Sequence, residues 1–373
     1  HVELTEARER GLAVASRAEV LGWLSELRPT LAVAGTHGKT TTTAMAVHAL
    51  RAMGADPSFL LGADLPGTKL RARWGEDELL VLEADESYGS FSELSPSVTA
   101  LANVEADHLD HYGTLEALGE AFAALLDRSG SSVVVVDDPG AAKLAERCGS
   151  ATVGEAHGAS YPMADLELES SSLRFSLAHG DAMATAEVAM PGRHNARNAA
   201  LALAALDLAG YPLEEAARGL RGFGGLKRRL EERGEMRGAR MVDDYAHLPS
   251  EVAAAVAAMA ASSPRRLVVV FQPHRYTRTA AVGEQFAGCF DGANLVIVTG
   301  LYPAGEAPIP GVDAGIVARA VAAGDEAPSV ELIEERAALV DRLLELLEPG
   351  DLLLTLGAGD LTELPAQLTA AGS

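Results

Sequence analysis

The sequence predicts an α/β protein with two domains, each built on a mostly parallel sheet covered by helices. Short β-branched runs alternate with longer helical stretches rich in alanine and leucine, which is the pattern of βα units. The runs end in small, polar or acidic residues, and the alternation changes near residue 160 and returns near residue 240. At 373 residues, the chain is long enough for two hydrophobic cores.

The first domain is predicted to contain four parallel strands. They are "LAVAGT" from Leu31, "LLVLEAD" from Leu79, "VTALANV" from Val98 and "SVVVVDD" from Ser132. In doubly wound sheets the ligand binds beyond the carboxyl ends of the strands. We therefore expect the chemistry of this domain at the residues that follow these four runs.

Beyond about residue 160 the pattern becomes alternating, in "DLELES", "SLRFSL" and "MATAEVAMP". This period of two predicts a small antiparallel sheet added to the first domain. The helical stretch "HNARNAALALAALDLAG" follows and ends at Gly210 and Pro212, as helices commonly do.

A glycine-rich, charged segment, "GFGGLKRRLEERGEMRG", is predicted to contain the domain boundary. We place the central domain at residues 29–225 and the second domain at 226–373. In the second domain the βα pattern returns with "RMVDDYA", "RLVVVFQP", "NLVIVTG" and "DLLLTLGAG", so a second, Rossmann-like α/β domain is expected.

Composition excludes several classes of partner. The 53 acidic and 30 basic residues give a net charge of -23, and without a Lys/Arg run this disfavours nucleic acid. The apolar runs are far shorter than a membrane span. The two cysteines, Cys148 and Cys289, suggest neither a metal pair nor a disulfide framework. Together with the lack of a signal peptide, they predict a cytoplasmic protein.

The segment Gly35-Thr36-His37-Gly38-Lys39-Thr40 has the features of a phosphate-binding loop. It is shorter than the usual pattern, because Val33 occupies the position of the first glycine. Its backbone N–H groups and the following helix would face an anion, Lys39 would reach the outer phosphates, and the Thr40 hydroxyl could ligate Mg²⁺. The alternative is a plain strand-to-helix turn, but the strand, loop and helix context favours nucleotide binding.

Acidic residues at two strand ends offer partners for a metal ion. "EADES" contributes Glu83, Asp85 and Glu86, and "NVEADHLDHYG" contributes Asp107, His108, Asp110 and His111. Mg²⁺ prefers oxygen ligands and shares them with nucleotide phosphates, while a histidine nearby suggests a second cation site or a charge-stabilising role. Any one of these residues alone could equally be a solvated loop charge.

Taken together, the motifs resemble those of the Mur ligase family over essentially the whole chain. Besides the loop and the acidic strand ends, the resemblance rests on "PGRHNARNA", "KRRLEERGE", "VDDYAHLPSE", "FQPHRYTRT" and "LGAGDL", in family order. At the position of His37, most members of the family carry asparagine. The L-alanine-adding and muropeptide-recycling ligases carry histidine there, so this chain resembles those two branches. "EADESYGSF" and "FQPHRYTRT" favour the L-alanine-adding branch.

This resemblance implies an ATP-dependent carboxylate-amine ligase of peptidoglycan precursor synthesis. Members of the family phosphorylate a substrate carboxylate to an acyl phosphate, which the amino group of the incoming amino acid then attacks. For the L-alanine-adding branch, the resemblance implies the lactyl carboxylate of UDP-N-acetylmuramate and L-alanine. The cofactors implied are ATP and two Mg²⁺ ions, which with Lys39 would offset the charge of the reacting anions. The fold implied is a P-loop central domain followed by a C-terminal Rossmann-like domain that closes over the nucleotide.

The resemblance also assigns residues by position. Those implied for ATP are Gly35, Thr36, His37, Gly38, Lys39, Thr40, Thr41, Asn195, Arg229 and Asp244. The metal positions would be Thr40, Glu83 and His108, and the catalytic set Lys39, Glu83, His108 and Arg229. The acceptor region would be lined by His247, His274, Arg275 and Arg278, whose guanidinium groups suit a carboxylate or an acyl phosphate. Taken alone, Asn195 could be a helix cap and Arg229 a solvated linker charge.

Several positions depart from the family pattern. Leu248 stands where a second histidine is usual, Tyr88 where an acidic residue is usual, and Leu230 where an aromatic residue is usual. These departures bear on amino-acid selectivity more than on ATP use. Residues 1–28 resemble only the tail of the family's N-terminal, UDP-binding domain, so we expect a missing upstream segment and weak binding of the UDP-sugar by this chain alone.

Two other classes of function stay open. The chain could be a related ligase for another amino acid or a peptide, which the departures permit. It could instead be a nucleotide-binding module that has lost ligation, although the set of Lys39, Glu83, His108, Asn195, Arg229 and Asp244 argues against this. A simple P-loop kinase would not account for the motifs of the second domain.

Overall fold

A ten-stranded sheet organises the first part of the chain in the computed structural model, which describes residues 2–324 and 327–372. The side chains of Tyr88 and Asp110 lie outside this description. The chain divides into two units. The first comprises His1–Asp165, Phe175–Ala186 and Arg197–Arg221, and the second comprises Leu166–Arg174, Glu187–Ala196 and Gly222–Ser373.

The strands of the ten-stranded sheet follow the order β10-β9-β8-β7-β6-β5-β1-β4-β2-β3. They are β1 (Thr30–Ala34), β2 (Ser58–Leu60), β3 (Ala72–Arg73), β4 (Leu80–Glu83), β5 (Val98–Leu101), β6 (Ser131–Val135), β7 (Ala151–Gly154), β8 (Tyr161–Leu168), β9 (Leu173–His179) and β10 (Ala182–Val188). Strand β1 pairs in parallel with β4 on one side and β5 on the other. All five of its residues are buried, as expected of a parallel strand covered on both faces.

The three alternating strands join this same sheet. β7 pairs in parallel with β8 through Val153 and Gly154, and β9 and β10 follow at the edge. The connections between β8 and β9 and between β9 and β10 are short. They cannot hold the crossover that a parallel pair needs, so these strands form antiparallel hairpins. The small antiparallel sheet that the sequence predicts is thus continuous with the parallel sheet.

Helices cover the sheet of the first part. They are α1 (Val2–Glu9), α2 (Arg17–Leu27), α3 (Lys39–Ala52), α4 (Leu109–Tyr112), α5 (Leu115–Arg128), α6 (Pro139–Cys148), α7 (Arg193–Leu208) and α8 (Leu213–Gly219), with a 3₁₀ turn at Ser87–Gly89. Helix α5 buries Leu118, Phe122 and Leu125 at helical spacing. The Phe122 ring stacks on Phe91 at 5.4 Å, which fixes one hydrophobic core against β1, β4 and β5.

A six-stranded sheet in the order β11-β12-β16-β13-β14-β15 organises the second unit. Its strands are β11 (Glu231–Met236), β12 (Ala239–Asp244), β13 (Arg266–Phe271), β14 (Leu295–Thr299), β15 (Ser329–Ile333) and β16 (Asp351–Leu356). The helices are α9 (Pro249–Ala260), α10 (Tyr276–Val282), α11 (Gly315–Ala322), α12 (Arg336–Leu346) and α13 (Leu364–Ala371), with 3₁₀ turns at Gly283–Phe286 and Asp360–Glu363. β11 is antiparallel to β12, and the other pairs are parallel.

Alternation along the strands gives this sheet a core on each face. In β13, Leu267, Val269 and Phe271 belong to one core, and Val268 and Val270 belong to the other, as the period of two requires. Both faces are therefore covered by helices. This matches the expected Rossmann-like arrangement and places the functional loops at the strand ends.

Two of the departures from the family pattern are core residues in this unit. Leu230 and Leu248 are buried in the core cluster that also contains Phe271. Their side chains therefore contribute apolar packing. In the part of the chain that the structure describes, no helix is long and apolar enough to cross a membrane.

Candidate active site

The predicted phosphate-binding loop lies between β1 and α3. Gly35 and Gly38 both have positive φ, at 128° and 77°, which glycine adopts without strain. A Cβ on Gly38 would lie 2.5 Å from Asn198 Oδ1, so close approach as well as backbone conformation requires glycine here. Helix α3 begins at Lys39. Because the first four N–H groups of a helix have no acceptor within it, this end of α3 can bind an anion.

Neighbouring residues after β5 hold the loop in place. His37 N donates to Asn103 Oδ1 at 2.8 Å, and Asn103 Nδ2 donates back to His37 O at 3.2 Å. Thr36 Oγ1 accepts from Glu105 N at 2.9 Å, and His37 Nε2 lies 3.2 Å from Glu105 Oε2. The loop is thus fixed by side chains far away in sequence, because β1 and β5 are neighbours in the sheet.

Lys39 is buried in the loop with three acceptors. Its Nζ donates to Gly35 O at 2.7 Å and Thr36 O at 3.1 Å, and lies 2.9 and 2.8 Å from the two carboxylate oxygens of Glu86. Burial alone would lower the pKa of Lys39, but the carboxylates of Glu86, Glu83 and Asp85 outweigh it and raise that pKa. The ammonium group therefore keeps its charge inside the loop.

Thr40 and Glu83 together provide oxygen atoms of the kind that Mg²⁺ prefers. Thr40 Oγ1 donates to Glu83 Oε1 at 2.9 Å, and Glu83 Oε2 accepts from Gly62 N at 2.9 Å. One hydroxyl at the start of α3 and one carboxylate at the end of β4 would leave most positions of an octahedral ion for water and phosphate oxygens. The pair therefore fits a nucleotide-bound Mg²⁺. Within the described residues there is no cluster of three or more His, Cys, Asp or Glu side chains placed to hold a metal ion by itself.

His108 lies near this charged cluster. Its Nε2 is 3.2 Å from Ser87 Oγ, 3.5 Å from Asp107 Oδ2 and 3.9 Å from Glu86 Oε1. Its backbone is in the left-handed region, with φ 52°, which is a strained conformation often found at functional sites. The structure thus brings together the predicted residues Lys39, Thr40 and His108. The carboxylate of Glu86 lies near both Lys39 and His108. Thr41, also predicted, is buried in the first turn of α3.

In the second unit, Arg229 and Asp244 lie in one hydrogen-bonded corner. Asp244 accepts from Leu230 N at 2.8 Å and Ala246 N at 2.7 Å. The guanidinium of Arg229 lies 5.3 Å from the ring centroid of Tyr245, over its face, and 3.9 Å from Glu251 Oε1. Burial raises the pKa of Asp244 to about 6, although Arg229 and the two backbone donors partly offset this effect.

The four predicted acceptor residues are close together at the ends of β12 and β13. The rings of His247 and His274 lie 5.8 Å apart, and Arg278 Nη1 is 2.9 Å from His274 Nδ1. Burial, together with the positive charge of His247, Arg278 and Arg275, lowers the pKa of His274 to about 3. His274 is therefore neutral, and its Nδ1 accepts from Arg278, since a guanidinium only donates.

Asn195 lies in the first turn of α7, two residues after its start at Arg193. Its side-chain Nδ2 donates to Pro191 O at 2.7 Å, and the residue is buried. It is therefore not an N-cap, and the bond to Pro191 fixes the orientation of its amide group.

Several residues of these sites were not singled out by the motifs. In the first unit they are Asn103, Glu105 and Asn198, which shape the loop. In the second unit Tyr245 and Tyr302 support the arginine and histidine side chains. Glu86 was predicted from "EADES" as a candidate metal partner, but its pairing with Lys39 was not predicted. The others become apparent only when strands distant in sequence are paired.

Comparison with known proteins assigns the chain to a family. Residues 33–206 match the Mur ligase middle domain, and residues 228–359 match the Mur ligase glutamate ligase domain. The UDP-N-acetylmuramate–L-alanine ligase of Thermobifida fusca (strain YX) is 43% identical, over 99% of this chain and 81% of that protein. The same-named ligase of Anaeromyxobacter dehalogenans (strain 2CP-C) is 40% identical, with the same coverage.

Solved structures agree with these relatives. The UDP-N-acetylmuramate-alanine ligase of Thermotoga maritima matches with a TM-score of 0.81 and 25% identity, covering 99% of this chain and 81% of that one. A MurF ligase from the same organism, solved with ADP, matches in fold with a TM-score of 0.74 at 18% identity, covering 97% of this chain and 85% of that one. On the two matched domains and the identity to curated relatives, the chain belongs to the Mur ligase family.

Proposed function

We propose that this protein is an ATP-dependent ligase that joins L-alanine to the lactyl carboxylate of UDP-N-acetylmuramate. The observation that carries the proposal is the loop in which the buried Lys39 ammonium lies beside the Thr40–Glu83 pair. Relatives about 40% identical over nearly the whole chain are named for this reaction. The reaction belongs to peptidoglycan precursor synthesis, and we place it in the cytoplasm, where ATP is available.

The chemistry requires an activated carboxylate, because a carboxylate is a poor electrophile. Transfer of the γ-phosphoryl group of ATP to the lactyl carboxylate forms an acyl phosphate and releases ADP. The amino group of L-alanine then attacks the acyl carbon, and the tetrahedral intermediate releases inorganic phosphate and a proton as the amide bond forms. Each step brings anions together, so the main task of the protein is to offset negative charge.

The first unit supplies the offsetting positive charge from Lys39 and from the N-terminus of α3. The Lys39 ammonium would contact the transferred phosphoryl group, and the amides of Gly38 to Thr41 would hold the phosphate oxygens. Thr40 and Glu83 would ligate one Mg²⁺ and His108 a second, and these ions would neutralise the developing charge. Gly35, Thr36 and His37 shape the loop around the nucleotide.

The second unit supplies residues for the nucleotide and the acceptor. We propose that Asn195 contacts the base, Asp244 the ribose hydroxyls and Arg229 the phosphates. Arg275 and Arg278, with His247 and His274, would receive the carboxylate of L-alanine or the acyl phosphate, for which two guanidinium groups provide directed donors. The proposed domain division is 29–225 for ATP binding, a range that includes Asn195, and 226–373 for the second domain, after residues 1–28.

The test is phosphate release by the protein as its gene encodes it, supplied with ATP, Mg²⁺ and UDP-N-acetylmuramate. We expect release to depend on the amino acid and to be fastest with L-alanine, when compared with glycine, L-serine and a tripeptide. Lys39→Met should lower the rate at least about 100-fold. The matched control is Lys143→Met, because Lys143 lies exposed on α6, and it should retain the wild-type rate.

The outcomes separate the alternatives. Release that depends on another amino acid or the tripeptide would replace L-alanine with that acceptor, an outcome that the departures at Tyr88 and Leu248 permit. ATP binding without any acceptor-dependent release would favour a non-catalytic nucleotide-binding module and would reject ligation.

A further inference from the structure

A loop outside the family motifs supports the arginines of the acceptor region. This loop, Gly300–Glu306, follows β14 and is called the Tyr302 loop below. It forms a parallel bridge with the segment before α10: Arg275 N donates to Tyr302 O at 2.8 Å, and Tyr302 N donates to Pro273 O at 2.8 Å. The bridge holds the backbone on both sides of His274.

This support matters because Arg275 has an unfavourable backbone conformation. Its φ of 68° is in the region that favours glycine, and such strain persists only where the surroundings hold the residue in place. Arg275 also immediately precedes α10 and provides no side-chain cap to that helix. The direction in which Arg275 and Arg278 leave the backbone therefore depends on contacts from elsewhere.

Glu306, at the end of the Tyr302 loop, supplies the missing cap. Its carboxylate accepts from Thr277 N at 3.0 Å and from Thr277 Oγ1 at 2.6 Å. Burial would raise the pKa of Glu306, but the bonds from Thr277 and the charge of Arg275 lower it overall. An ionised carboxylate at the first turn of a helix also interacts favourably with the helix dipole.

The ring of Tyr302 supports His274, and His274 in turn supports Arg278. The rings of Tyr302 and His274 stack at 5.6 Å with an interplanar angle of 13°. The neutral His274 then accepts from Arg278 through Nδ1. Gly359 packs against Tyr302, because a Cβ there would lie 2.6 Å from Tyr302 Cγ. The glycines of "LGAGDL" thus include one that makes room for this ring.

We propose that the Tyr302 loop positions Arg275 and Arg278 for the amino-acid substrate, with Tyr302 and Glu306 as positioning residues. The inference rests on the proposed function, since it takes the two guanidinium groups to receive the carboxylate of L-alanine or the acyl phosphate. Tyr302 acts through His274 on Arg278, and Glu306 acts through Thr277 on the start of α10. Neither residue needs to touch the substrate.

The experiment compares Michaelis constants for L-alanine and ATP in the full protein. Tyr302→Leu removes the ring stack, and Glu306→Ala removes the cap. Each should raise KM for L-alanine about tenfold, which corresponds to about 1.4 kcal/mol, while KM for ATP stays within about twofold. Tyr302→Phe keeps the ring, so it should restore a near wild-type KM for L-alanine.

A loss of packing alone would lower the melting temperature and affect all substrates alike. If Tyr302→Leu does not fold, Thr277→Val serves instead, because Thr277 is exposed and loses only the hydroxyl bond to Glu306. That variant should raise KM for L-alanine about threefold. An active wild type whose variants leave KM for L-alanine unchanged, or raise both KM values equally, would overturn this inference alone. A wild type without amino-acid-dependent phosphate release would overturn the proposed function and this inference with it.

Discussion

At the scale of single residues, Lys39 shows how a buried charge is kept available for a ligand. A buried ammonium is costly unless it is paired and hydrogen-bonded. Here its three donors are directed at Gly35 O, Thr36 O and the carboxylate of Glu86. A phosphate that binds to Lys39 must therefore replace at least one of these acceptors. Glu86 is the one of the three that can ionise, and burial raises its pKa although Lys39 partly offsets this effect.

Asp244 shows the opposite effect of burial. Its carboxylate accepts two backbone N–H groups, yet burial raises its pKa from 3.8 to about 6. The folded state thus favours the protonated form of Asp244 more than the unfolded state does. As pH rises from about 4 to about 6, the unfolded chain loses this proton first, so the free energy of unfolding falls, and above pH 6 it changes no further.

We therefore predict that Asp244 costs stability at neutral pH. Relative to Asp244→Asn, whose amide does not titrate, the wild type should lose about 2 kcal/mol of unfolding free energy between pH 4.5 and 7.5. Urea denaturation of both proteins at the two pH values measures this difference, and other titrating groups cancel in the comparison. Parallel changes in both proteins would show that Asp244 titrates at an ordinary pKa.

At the scale of elements, the strand, loop and helix around Lys39 depend on one glycine at the start of α3. An alanine at Gly38 would meet left-handed strain of about 1–2 kcal/mol and a clash with Asn198 Oδ1. Gly54, after the end of the same helix, also has positive φ, but a Cβ there meets no atom within 4 Å. The two positions separate backbone strain from crowding.

We predict that Gly38→Ala weakens ATP binding at least about tenfold, because either the loop or Asn198 must move. Gly54→Ala should lower stability by about 1 kcal/mol and leave ATP affinity at the wild-type value. Calorimetric titration with ATP and Mg²⁺ measures the affinities, and thermal unfolding measures the stabilities. Equal ATP affinities in the two variants would show that the approach of Asn198 to Gly38 is unimportant.

The same element shows what the sequence could predict. The period of hydrophobic residues and the glycine spacing predict β1, the loop and α3, because these signals are local. The partners of the loop, Asn103 and Glu105, could not be predicted from spacing, since they reach His37 only through the pairing of β1 with β5. Tyr302 was missed for the same reason, because it meets His274 across the end of β13 and β14.

At the scale of the whole molecule, the second unit has two hydrophobic cores built from its own residues. The cores on the two faces of the six-stranded sheet contain only residues between Leu230 and Leu368. Hydrophobic burial on both faces is the main source of stability for such a sheet. The domain boundary predicted at residue 225/226 thus leaves both cores intact.

We predict that residues 226–373 fold alone. The fragment should show the circular dichroism of an α/β domain and a single cooperative urea transition, because all six strands and both cores are retained. A fragment that begins at Gly222, where the last segment of the second unit begins, is the matched control and should have similar stability. Neither fragment should hydrolyse ATP, since both lack Lys39 and Thr40. A non-cooperative transition in the shorter fragment alone would move the boundary toward Gly222, and non-cooperative unfolding of both would contradict the proposed division of the chain.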